Sequence, residues 1–448
     1  MKIRLFALVM AMLLTAWGLS ACKKDAETLD STVSNEQTAP VTEDEPKPED
    51  TTDYAALLAF QFEGLTDSPA SEFDYTEKNG GVMITDYLGT AEKVCLPNTI
   101  AGLPVTAIGD GAFAELTNLK VLSLPDSVTE FGTGILTGCS ALYALRTPLP
   151  TADGTAFLGY LYGAESYETN NMPDLRHLEF LELGGSLTEL PSYALYDCND
   201  LVAVKLPETV TSLAAYSLYR CESLKYINTE NLTVLAPHAM DFCLGLEKLE
   251  LSASLQSIGL GALENCNALR RLTLPFIGES RDGNSYLGYI FGAADYGFSA
   301  GFYPPSLEFV TVTEGADKVG DHAFYDCDSL RSVVLPGSVT AIGTRAFSGC
   351  VKLKELQLPD GVTTVGDSAF SGCTALASIG LGTSLRSLGV NAFLNCTALT
   401  SITLPASLTV LPNSCFYGCT SLKTVDMGGV TTIGTNAFYG CTSLEGQD

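Results

Sequence analysis

Between Cys198 and Cys266, and again between Cys327 and Cys441, the regularly placed cysteines follow one another at intervals of 22 or 23 residues. The gap between those two runs, Cys266 to Cys327, is 61 residues, which fits one further repeat plus an insertion. A fixed period in this range marks a solenoid: each unit is too small to bury its own apolar face and must stack on its neighbours. Such a chain presents a long surface and no built-in pocket, so binding is expected rather than catalysis.

The unit beginning at Leu330 shows how each position is used. Leu330, Val333 and Leu335 point inward along a short strand, and the residues between them project outward. Pro336 has no N–H to offer a ladder and ends the strand. Val339 and Ile342 form a second inward pair, and Gly343 suits a turn with positive φ. Ala346 and Phe347 sit on a short helical turn, the small residue permitting close stacking while the ring fills the interior. The frame recurs through Leu353, Phe370 and Cys373, through Leu376, Phe393 and Cys396, and again from Leu399 and Leu422. Twelve units are counted from Val94; at the ~4.8 Å spacing of paired strands the stack is roughly 60 Å long.

The pattern Leu-x-x-[Ile/Val]-x-Leu-Pro…Ile-Gly-x-x-Ala-Phe-x-x-Cys resembles the BspA-like, or treponemal-class, leucine-rich repeats of bacterial cell surfaces. The resemblance covers about residues 73 to 444 and implies a right-handed, curved solenoid of stacked short strands and helical turns. It also implies adhesion to surface or matrix proteins. The segment Tyr75 to Gly89 resembles the strand pair that opens such arrays. After Cys441 a further unit starts at Leu444 without being completed.

The N-terminus reads as an export signal. Lys2 and Arg4 precede an apolar run, Leu5 to Leu14, that is short for a membrane span, and the segment closes on Leu19-Ser20-Ala21-Cys22. That order resembles a bacterial lipobox, which implies acylation of Cys22 and a membrane anchor at the cell surface; an ordinary signal peptide is the plainer alternative. Residues 23–56, rich in Thr, Glu, Asp and Pro, read as a disordered tether. Residues 57–93 are assigned to an opening β segment and 94–448 to the repeats, with insertions near 149–177 and 276–306. The chain carries 52 acidic against 24 basic residues and no basic stripe, which excludes nucleic acid as a partner.

Exported cysteines invite a disulfide reading. Equivalent cysteines in stacked coils would, however, lie about 5 Å apart with parallel side chains, whereas a disulfide needs converging ones. A ladder of buried thiols is expected instead. Cys415 falls in the Ala column and Cys419 in the regular Cys column.

The two insertions are related. Phe157-Leu-Gly-Tyr-Leu-Tyr-Gly-Ala164 matches Tyr286-Leu-Gly-Tyr-Ile-Phe-Gly-Ala293 at an offset of 129 residues. Their aromatics, Tyr160, Tyr162 and Tyr167, then Tyr289, Phe291, Tyr296, Phe298 and Tyr303, are candidate binding anchors, or else they pack as small clusters on the solenoid wall. On the strand face Lys205, Tyr226, Lys248 and Arg271 are the candidates, being larger and more charged than the outward residues of later repeats.

Catalytic constellations are absent from the sequence: no nucleophile elbow, no phosphate loop and no His-Glu-x-x-His is found. His238 and His322 fill the same variable slot before the Ala column, and His177 lies in an insertion; none is assigned a role. No cofactor and no metal are expected. The expected function is non-enzymatic binding of a protein or glycan on a host, a neighbouring cell or the cell's own envelope. An envelope spacer, or glycan or substrate capture for a separate enzyme, is the alternative.

Overall fold

A computed structural model describes residues 50–445, apart from 153–154, 171–172, 284–285 and 314. The signal segment, Cys22 and the tether up to residue 49 lie outside the described residues. No helix among the described residues is long and apolar enough to cross a membrane.

The repeats stack as parallel coils. Each contributes one short strand to a first row, from Lys93–Cys95, Val121–Ser123 and Ala144–Pro148 through to Ser401–Thr403 and Thr424–Asp426. The register is one-to-one, Val94 against Leu122 and Leu122 against Leu145, so every inward residue lies directly over its counterpart. A second row of two-residue strands repeats this on the return path, for example Val319, Ile342, Val365 and Leu388 in line. Fourteen first-row strands occur among the described residues. With the opening hairpin as one more layer the array has roughly fifteen coils, not twelve. Strands Ala144–Pro148 and Arg271–Leu274 escaped the count because each runs into an insertion and lacks the Ala-Phe-x-x-Cys tail.

Cysteine and phenylalanine columns complete the interior. Phe347 and Phe370 stack with centroids 5.3 Å apart and planes within 8°, and the ladder continues through Phe393, Phe416 and Phe438. Cys373 Sγ donates to the carbonyl of Phe347 at 3.0 Å and Cys396 to that of Phe370 at 3.1 Å. All thirteen described cysteines are free and all but Cys95 are buried. Burial pushes the thiols of Cys350 and Cys373 up, to about 12 for Cys373.

Gly343 corrects the expectation of positive φ. The left-handed residue is Arg345, at φ 53. Gly343 is needed because a Cβ there would lie 2.5 Å from the Asp321 backbone nitrogen of the coil below. Close stacking, not turn geometry, selects it.

The N-terminal cap holds the largest difference from expectation. The hairpin Phe73–Lys78 and Gly81–Tyr87, turned at Asn79-Gly80, pairs in parallel with Leu103–Ile108 and covers the first coil. Ahead of it lies a helix, α1 (Tyr54–Phe62), where the sequence reading has tether and strand. Asp53 caps α1 by accepting from Ala56 N at 2.9 Å, and Ala and Leu suit its interior. Leu58 and Phe62 pack on Val121, Ala144, Phe180 and Ala203, outward residues of the first-row strands. Arg146 stacks over the Phe62 ring at 4.5 Å. The chain's own helix therefore covers the strand face of the early coils.

Candidate binding groove on the helical-turn side

The insertions are coils of the stack. In a regular coil Phe324 N donates to Ala346 O at 2.7 Å. In the same way Leu136 N donates to Leu161 O at 2.7 Å, and Leu263 N to Ile290 O at 2.9 Å. Leu161 and Ile290 thus stand in the Ala column, and Tyr162 and Phe291 in the Phe column, both buried. Tyr303 is buried too. These three are interior residues, not surface anchors. Tyr160 and Tyr289 are half-buried, while Tyr296 and Phe298 are exposed.

Two positions in every regular coil hold the left-handed conformation, though not in the two insertion coils: the residue before the Ala column and the residue before the Cys column. In most coils the first is Gly, Ser or Asn, as at Gly111, Ser368 and Asn391. In three consecutive coils it is Tyr193, Tyr216 and His238, at φ 65, 59 and 56. A non-glycine residue in this region costs about 1–2 kcal/mol, and a bulky one without local compensation marks a site where another demand prevails.

These side chains are brought together. Tyr167, from the tail of the first insertion, stacks on Tyr193 at 4.0 Å and 13°. Tyr193 stacks on Tyr216 at 5.6 Å, and Tyr216 on His238 at 5.1 Å. A parallel file, Tyr196 on Tyr219 at 5.0 Å, with Phe242 edge-on to Tyr219 at 5.6 Å, forms the other wall. Asn170, buried in the insertion tail, donates to Tyr196 O at 2.7 Å and fixes Tyr167 over the first coil. Between the files runs an open groove of about 830 Å³, ending on His238, Asp241 and Glu264. Burial raises the Tyr196 and Tyr219 hydroxyls, so they stay protonated and can donate.

His238 Nδ1 lies 3.4 Å from Asp241 Oδ2 and 3.3 Å from Glu264 Oε2. Burial holds both carboxyls above their usual range, and Asp241 further raises Glu264. The second insertion repeats only the start of this arrangement. Tyr296 stacks on His322 at 3.7 Å with Tyr325 edge-on, and the next coil continues with Arg345 and Ser348.

The strand-face candidates are scattered. Lys205 pairs with Glu182 at 3.1 Å and Lys248 with Glu250 at 2.7 Å. Tyr226 packs beside α1, and Arg271 lies over the Phe309 ring at 4.2 Å. Of the candidates named from the sequence, only Tyr167 enters the groove. The other residues were missed, yet the period held the signal: stepping 22 or 23 residues from Tyr193 reaches Tyr216 and then His238.

The model of the BspA type leucine rich repeat region matches in six copies, over residues 91–157, 171–282 and 302–445. The chain belongs to this family. Leucine-rich repeats of this kind build surfaces for interaction, and their fold is typically non-catalytic. No curated protein matches the chain. Among solved structures it is similar to a leucine rich cell surface protein from Faecalibacterium prausnitzii. That likeness is 24% identical over 81% of this chain and 95% of the other, with a TM-score of 0.31. It is also similar to a leucine-rich repeat protein from Bacteroides ovatus, 19% identical over 85% and 93%, with a TM-score of 0.34. At such identity and superposition neither neighbour bears on what this chain binds.

Proposed function

We propose that this is a surface-displayed protein, anchored by acylation of Cys22, that binds an extracellular protein through the tyrosine groove and performs no chemistry. The observation that carries this reading is the run of Tyr193, Tyr216 and His238 in left-handed positions. Nothing in the stacking of coils needs bulk there, since Gly, Ser and Asn serve elsewhere.

The ring geometry favours a protein over a glycan. Sugars bind by laying their apolar faces on exposed aromatic faces, but here the tyrosines cover one another's faces at 4.0–5.6 Å. What remains is a line of ring edges and hydroxyl groups. Such edges suit a protein surface, because tyrosine presents large rigid contact area with a hydrogen-bonding tip.

Proximity labelling on intact cells tests the reading, with wild type compared against Tyr193→Asn/Tyr216→Asn. Asparagine occupies the same column at Asn391 and Asn436, so the fold tolerates it. A labelled surface protein that disappears with the double variant is the expected result; an unchanged labelling pattern sinks the groove. Cys22→Ala should release the protein from the membrane fraction, and retention after a salt wash counts against acylation.

A further inference from the structure

The far end of the groove holds a cluster that aromatic stacking does not require. We propose that His238, Asp241 and Glu264 form a binding site for a divalent transition-metal ion, ligated by the imidazole Nδ1 and one oxygen from each carboxylate. The ligating atoms of all three lie within 4.8 Å of one another. The His238 Nδ1 separations of 3.4 and 3.3 Å match a tetrahedral shell. With ~2.0–2.1 Å bonds, neighbouring ligands around zinc sit roughly 3.3 Å apart.

Independent observations converge on the same point. His238 Nδ1 is a buried atom with no well-aligned hydrogen-bond partner, set 3.3–3.4 Å from an oxygen of each of two carboxyl groups. Buried polar atoms are ordinarily satisfied, and an unsatisfied one needs an explanation. The space in front of it is kept open by Gly261. A Cβ there would lie 2.8 Å from Glu264 Oε2 and 3.0 Å from His238 Nδ1. Gly292, from the second insertion, leaves room on the other side of the Glu264 carboxylate, which an added Cβ would meet at 2.9 Å.

The cluster holds more acid than base. Asp241 and Glu264 occupy one column in adjacent coils, two carboxylates facing one imidazole, and Asp241 is almost fully buried. Asn265 Nδ2 donates to Asp241 Oδ1 at 3.0 Å and leaves Oδ2 turned to the cluster. Arg220, in the coil before, pairs with Asp197 and Glu222 instead. A buried carboxyl such as Asp241 is ordinarily paired or bound to metal.

One imidazole nitrogen with two carboxylate oxygens suits zinc, manganese or a similar ion better than the all-oxygen shells of calcium. Three protein ligands leave a coordination position open toward the tyrosines, where a carboxylate or imidazole of a docked protein could enter. That use of the ion rests on the groove being the binding surface; the site itself does not.

The test is calorimetric titration of the whole chain with Zn²⁺, together with the visible spectrum of its Co²⁺ form. The expected result is one saturable site, weakened about tenfold or more by His238→Asn and by Glu264→Gln, and unchanged by His322→Asn. The cobalt form should show nitrogen and oxygen ligation without a sulfur charge-transfer band, separating this site from the buried thiols. Absence of saturable binding, binding undiminished in His238→Asn with the fold intact by circular dichroism, or a thiolate band would overturn the proposal. The titration needs no partner, so it can succeed while the groove's role fails, or the reverse.

Discussion

The coils of Tyr193, Tyr216 and His238 and the coils of Phe347, Phe370 and Phe393 place their aromatic residues on opposite sides of the same wall. In the earlier stretch the interior column reads Leu195, Leu218, Met240 and Leu263, while Tyr193, Tyr196, Tyr216, Tyr219 and Phe242 stand outside. In the later stretch Phe347, Phe370 and Phe393 fill the interior, and the outer positions around them hold Ser348, Ser368, Ser371 and Asn391, before rings return outside at Tyr417 and Tyr439. The backbone is alike in both, with the same left-handed pair in each coil. Interior rings serve cohesion and exterior rings the recognition proposed above, and one repeat frame accommodates either.

Substitutions that act on one side only break or sharpen this contrast. The largest effect is expected at the interior ladder. Phe370→Ala removes a ring stacked on both faces and should destabilise the array by about 3–5 kcal/mol, read from the urea midpoint, while binding at the groove persists. Tyr216→Asn should do the reverse, lowering partner binding about tenfold or more with stability held within roughly 1 kcal/mol of wild type. Equal loss of stability and binding in either variant would erase the distinction.

Smaller effects refine it. Native protein treated with a thiol reagent should react at Cys95 alone among the described cysteines, the others answering only after urea. Smallest is a pH effect at the groove's end. Burial raises Asp241 and Glu264 above their ordinary 3.8 and 4.5, so the folded chain holds those protons more firmly than the unfolded one. That contribution is complete below the ordinary values and is lost as pH climbs through the raised ones. In metal-free protein Glu264→Gln should therefore raise the melting temperature at neutral pH, and not below about pH 4.

Much of the fold was legible because the solenoid repeats its instructions. The Leu, Phe and Cys columns, the strand ended at Pro336 and the absence of disulfides all follow from the period. The helix α1 was not legible, because a short apolar run beside an acidic, proline-rich stretch carries little weight alone. Its mark lies elsewhere in the chain: the outward positions Val121, Ala144, Phe180 and Ala203 are apolar, whereas Glu355, Gln357 and Ser378 are not. Four such residues in adjoining strands mark a covered face, unlike the single exposed Val334 farther along the row. His238 and His322 share one column of the repeat, which by itself says little of either. The informative comparison was with the coil directly beneath, where His238 meets Tyr216 and His322 meets Tyr296.

The paired left-handed positions carry one more implication. Across the described coils they hold Gly, Asn, Ser, Asp, Glu, Arg, His, Tyr and Phe, and never Val, Ile or Thr. Branching at Cβ is excluded there by its crowding at positive φ, while small, charged and aromatic side chains are all accepted at a modest cost. The outer surface can thus be rewritten one layer at a time without disturbing its neighbours within. A lineage of such proteins is free to change what it recognises far faster than it changes shape.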